Sequence, residues 1–147
     1  MSTRQLTVLA SALLASGALW AAGALANGPK PESAQSANEA TVSFAREINP
    51  ILRQRCAVCH VTGQEPGLLS LVPTKSYGAL VGQDSVQSNL KRVEPGNPEQ
   101  SYLYHKLMGS HLEAGGEGLR MPFAAPPLNR AQTDLVKHWI EEGARNN

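Results

Sequence analysis

Apolar residues are spaced in three different ways along the chain. Residues 6–22 form an almost unbroken Leu- and Ala-rich run without charge, and residues 27–40 hold almost no apolar side chain. From Thr41 onward apolar positions recur every three or four residues, the period of a helix that buries one face. Phe44, Ile48, Ile51 and Leu52 form the first such set. Asn49 before Pro50 reads as an N-cap followed by proline at the first helical position, so a helix is predicted to start there. Phe44 and Ile48 then pack as the segment leading into it. A second helix is predicted after Asn97-Pro98-Glu99-Gln100, where Asn97 caps and Gln100 lies three residues on, as in a capping box. It carries Tyr102, Leu103, Lys106 and Leu107 and stops at Gly109. The third repeats that grammar: Asn129 caps, Gln132 closes the box, and Leu135, Val136, Trp139 and Ile140 form one apolar stripe before Gly143. Residues 61–71 and 73–82 are turn-rich, with Tyr77 and Leu80 as the expected buried points of the latter. No stretch alternates cleanly as a strand would, and no repeat occurs. The expectation is an all-α domain over residues 42–147, with about three main helices joined by long loops.

The N-terminus changes where this domain is expected to work. Arg4, the apolar run and the small residues ending in Ala24-Leu25-Ala26 follow the order of a secretory signal peptide, with cleavage before Asn27. The alternative is an uncleaved anchor, since Leu6–Ala26 is uncharged and about long enough to span a bilayer. Membrane association is expected only in that case. Residues 27–41, rich in Gly, Pro, Ser, Asn and Gln, read as a flexible linker. The 13 basic and 12 acidic residues of the chain nearly balance, and no basic run or basic-aromatic patch argues for nucleic acid.

The chemistry concentrates in Cys56-Ala57-Val58-Cys59-His60. Cys-x-x-Cys-His is the sequence at which c-type haem is covalently attached. Two thiols three positions apart lie close together on one turn and can add to the two vinyl groups of a single haem. The histidine that follows is then the proximal ligand to iron. Other uses of a Cys-x-x-Cys pair are a short-loop disulfide, a redox dithiol or half of a zinc site. Zinc needs two more ligands at finger-like spacing, and His105, His111 and His138 do not repeat that spacing while no third cysteine exists. A thioredoxin-type dithiol belongs in a βαβ setting, for which the pattern offers no strands. With only two cysteines, no disulfide framework remains. Aromatic residues make up only 5% of the chain, so a buried porphyrin would supply apolar bulk the core lacks.

VSFAREINPILRQRCAVCH, RVEPGNPEQSYLYHKLMG, the Arg120-Met121-Pro122 triplet and PLNRAQTDLVKHWIEEGA together resemble the single-haem cytochrome c domain, in particular its planctomycete-type subgroup. The likeness covers most of residues 42–143. It implies a cytochrome c-like fold in which the helices wrap around one covalently attached haem c per chain. It also implies export to the periplasm and electron transport rather than enzymatic catalysis. Val61 stands where this subgroup often has glycine, and the long haem-proximal loop of the mitochondrial carrier is not matched.

For the sixth position on iron the chain offers Met121, Met108, His105, His111 and His138. Met121 follows a glycine-rich stretch, precedes Pro122, and matches the position of the family's ligand methionine. The expected axial pair is therefore His60 and Met121. Met108 reads as core at the end of its helix, His105 and His111 as solvent-facing, and His138 as a surface residue beside Trp139. Arg92, Lys91 and Arg120 are candidates to neutralise the haem propionates, or are simply solvated charges. Pro66 offers a backbone carbonyl to the proximal imidazole. Leu68, Leu69 and Leu71 either cover the haem edge or belong to ordinary core. The function expected is one-electron transfer between redox partner proteins. Alternatives are the cytochrome subunit of a periplasmic dehydrogenase and a ligand-binding cytochrome with an open sixth site.

Overall fold

Helix formation begins at Ser43, not at the predicted cap Asn49. The computed structural model describes residues 41–147, so the expected signal segment 1–26 and residues 27–40 of the expected linker lie outside the described residues. Ser43 Oγ accepts from the Arg46 amide at 3.3 Å, and the Glu47 carboxylate accepts from the Ser43 amide at 2.7 Å. A π-helical turn over Phe44–Ile48 follows and runs without a break into α1 (Asn49–Arg55). Asn49 is thus inside the helical run, its amide bonded to the Phe44 carbonyl. Pro50 comes next. It has no N–H, and its ring crowds the carbonyl four residues back, a conflict that a wider turn relieves. The start is also held from the far end of the sequence. Ala45 N donates to Asn147 O at 2.9 Å, Phe44 N to Asn147 Oδ1 at 2.8 Å, and Val42 N to the Glu142 carboxylate at 2.8 Å.

The other helices are α2 (Ser76–Leu80), α3 (Tyr102–Met108) and α4 (Arg130–Glu141). The described region is all-α, and its only extended pairings are isolated bridges such as Val81 with Val93. α2 forms where only turns were expected, though Leu80 is buried and Tyr77 half-buried as predicted. The predicted second helix divides in two. Asn97 caps a 3₁₀ turn over Pro98–Gln100, Ser101 is extended, and α3 starts only at Tyr102, ending at Gly109 with φ 87°. Among the described residues no helix is long and apolar enough to cross a membrane.

α4 follows its sequence pattern closely. Gln132 N donates to Asn129 Oδ1 at 2.9 Å, and Asn129 N donates back to Gln132 Oε1 at 3.2 Å. Val136, Trp139 and Ile140 are buried against α3 and the π-helical turn. The Trp139 ring lies 5.3 Å from that of Phe44, which meets Tyr77 edge-on at 5.1 Å. Trp139 Nε1 also donates to the Arg145 carbonyl at 2.9 Å, fixing the tail that holds the start of the first helix. Trp139→Ala is expected to destabilise the domain by about 3–5 kcal/mol, the usual cost of emptying a large buried site. Denaturant unfolding measures it, and a loss below about 1 kcal/mol, the size of a surface change, would contradict this packing.

Candidate functional site

α1 ends at Arg55, and the chain turns at once through the Cys-x-x-Cys-His run. Cys59 N and His60 N both donate to the Cys56 carbonyl, at 3.1 and 3.0 Å, which winds the two cysteines and the histidine into one tight turn. Leu71 N then donates to His60 O at 2.8 Å and closes the following loop. Inside that loop the Glu65 carboxylate accepts from Thr62 N at 2.9 Å and from Gly63 N at 2.8 Å. Those amides, Thr62 first, hold its pKa down to about 2. Gly67 has φ 94°, and a Cβ there would meet Leu69 Cδ2 at 2.9 Å, so this turn beside the His60 ring requires glycine.

The turn forms one wall of a cavity of about 480 Å³, almost wholly apolar in lining. Cys56, Cys59, His60 and Met121 all line it. Both cysteines are free thiols. Burial pushes the Cys56 thiol up to about 11, so it is neutral at ordinary pH. Burial also lowers the His60 pKa, against the opposing pull of Glu65 and the Leu69 backbone, and so favours an imidazole with a free lone pair. No acceptor completes a hydrogen bond to His60 Nδ1, which is buried, so the expected support from the Pro66 carbonyl is not made. Pro66 lines the cavity instead, together with Leu69 and Leu71. Leu68 is exposed and belongs neither to the cavity nor to the core.

Met121 reaches the cavity from a loop without helix. Its amide donates to the Lys106 carbonyl at 3.0 Å. Three of the other sixth-position candidates depart from their expected environments. Met108 is 47% exposed rather than core, because it lies on the outer side of the last turn of α3. His105 and His111 are buried rather than solvent-facing. His105 Nε2 donates to Glu99 O at 3.0 Å and Nδ1 accepts from Ser110 Oγ at 2.8 Å, while His111 Nε2 donates to Gly118 O at 2.9 Å. Main-chain carbonyls and a hydroxyl hold three of the four ring nitrogens, His111 Nδ1 being buried without a partner, and the segments that supply them cover both rings despite their charged sequence neighbours. His138 is exposed, as expected. None of these four lines the cavity.

Of the three basic candidates only Arg92 faces the cavity. It donates to the carbonyls of Ala79, Gly67 and Leu68 at 2.9–3.1 Å, makes no ion pair among the described residues, and burial lowers its pKa. Lys91 pairs with Glu94 at 3.0 Å, and Arg120 donates to Leu107 O at 3.2 Å. Two further cations in the wall, Arg55 and Lys106, were not among the candidates, and Lys106 is the buried one. Lys106 is 7% exposed, and a lysine on a helix reads as a solvated charge until the loop that covers it is known. Among the described residues no three of His, Cys, Asp and Glu form a metal-binding group. Comparison with family models, with curated proteins and with solved structures finds no match to this chain.

Proposed function

We propose that this chain is a single-haem c-type cytochrome that transfers one electron at a time in the bacterial cell envelope. The observation that carries the reading is the convergence of two free thiols, the adjoining His60 and the Met121 thioether on one apolar cavity. The residues fit the group. The volume lies within the roughly 300–1,000 Å³ of ordinary cofactor pockets. Two thiols in one cavity wall are the number that thioether attachment would need, and imidazole with thioether is a known ligand pair for haem iron. Haem, when bound, supplies reversible one-electron chemistry at its iron. The chain's own part is to hold and tune it. Cys56 and Cys59 would hold it covalently, and His60 and Met121 would ligate its iron. Apolar walls exclude water. Arg92 offers an uncompensated guanidinium to a propionate, where a charge-assisted bond would replace lost hydration. With two side chains as ligands the iron would leave no place for substrate, which favours a carrier over an enzyme. The cytochrome subunit of a dehydrogenase would use the same site in the same way.

The test is chemical. Haem in the exported protein is expected to stay with the polypeptide through acid-acetone extraction and denaturing electrophoresis. Haem released into the solvent would refute covalent attachment.

A further inference from the structure

α3 carries two polar side chains one helical turn apart, Tyr102 and Lys106, both in the cavity wall and both buried. The Tyr102 hydroxyl donates to Glu117 O at 2.6 Å and accepts from Glu117 N at 3.0 Å. Lys106 Nζ donates to Glu117 O at 2.7 Å and to Leu119 O at 2.8 Å. The Lys106 carbonyl in turn accepts from Met121 N. Five hydrogen bonds therefore run from two residues of one helix to the short segment that ends in Met121. A buried ammonium without a carboxylate partner is expensive, and leucine or methionine would fill the same face without that desolvation. What lysine adds is a pair of short, charge-assisted donors aimed at a segment that has no helix or strand of its own. The approach is close on both sides. A Cβ on Gly116 would run into the Tyr102 ring, so this part of the loop lies directly on α3.

We infer that Tyr102 and Lys106 are positioning residues: together they latch the 117–121 segment so that the Met121 sulfur is held at the cavity and the sixth position stays closed. The inference rests on the reading of Met121 as the sixth ligand. Without the latch the glycine-rich loop is free to move and Met121 leaves the metal more often, with the covalent attachment and His60 untouched.

The experiment uses the full-length exported protein, with imidazole as the probe for an open ferric site. Lys106→Met keeps the apolar stem and removes the donors. Tyr102→Phe removes one hydroxyl and preserves the ring, so it folds even if the first variant does not. Losing one or two bonds to a charged or buried partner corresponds to about tenfold in an equilibrium. Imidazole uptake is thus expected to be about tenfold faster in Lys106→Met, and faster in Tyr102→Phe by a smaller factor, at unchanged haem content. Hydrogen exchange at the Met121 amide should accelerate in step while α4 keeps its protection. Variants that melt earlier but take up imidazole at the wild-type rate would overturn the inference, because the two side chains would then only support the fold. Unchanged exchange at Met121 in Lys106→Met would overturn it as well. A wild type that already takes up imidazole within the mixing time is a different failure. It removes Met121 as the ligand, and the exchange data still report whether the latch holds the loop.

Discussion

Alanine at both Cys56 and Cys59 is expected to yield a chain that carries no haem after acid-acetone extraction. Each thiol lines the cavity as a free group; on the proposed reading each would form its own bond, and no other residue could replace it, since the chain has no third cysteine. His60 alone would leave the group held by coordination, which acid breaks. The consequence for folding follows from what the cavity walls are. Leu71, Leu80, Tyr102 and Leu107 line the cavity and are also buried core residues, so without an occupant they face empty space. A covalently held group would stabilise the folded chain through the contacts it packs against there, and those contacts would be lost with it. The Phe44, Tyr77 and Trp139 cluster is separate from the cavity lining and keeps its packing. The double variant should therefore retain helical circular dichroism from the ends of the domain. Its amide protection should fall across residues 60–71 and 117–125. Haem stain on the double variant after denaturing electrophoresis would rule out thioether attachment at these positions.

The contrast between α4 and the first helix shows what kind of structure the sequence discloses. α4 is capped by residues three apart, and its buried stripe repeats within its own twelve residues, so local reading suffices. The start of the first helix is fixed by Glu142 and Asn147, and Val42 and Glu142 are 100 positions apart. No local pattern contains that, and Asn49-Pro50 imitates a cap inside a continuing helix. The site divides the same way. Cys56, Cys59 and His60 are adjacent, so their chemistry is written in a five-residue word. Met121 could be reached through its proline and its place in the resemblance. The environments of His105, His111 and Lys106 could not be, because all but one of their side-chain partners (the Ser110 hydroxyl) are main-chain carbonyls, and carbonyls carry no residue-type signal. Arg92 was separable from Lys91 and Arg120 only once the 79–93 segment was folded against the Gly67 turn.

Met121→His is expected to lower the reduction potential, and Met121→Ala to open the iron to carbon monoxide when ferrous and to cyanide when ferric. A thioether is a weaker donor to ferric iron than imidazole, so it favours the ferrous state and raises the potential. Replacing it with histidine should shift the couple downward by at least one tenfold step, about 59 mV for a single electron. Wild-type ferric protein should show the weak sulfur-to-iron charge-transfer band at the red edge of the visible spectrum, and both substitutions should remove it. Met108→Leu supplies the control, and the structure gives a better reason for its neutrality than core packing does. Met108 is about half exposed and does not line the cavity, so the exchange touches neither the cavity nor the interior. It should leave the band, the potential and the stability as they are, the last within about 0.5 kcal/mol. Loss of the band in Met108→Leu with retention in Met121→Ala would reverse the assignment of the ligand. Rapid carbon monoxide binding by the unaltered ferrous protein would remove the closed carrier and leave the ligand-binding cytochrome in its place. The potential and the ligand access are measured on the same preparations, so the two effects must change together if one sulfur atom is responsible for both.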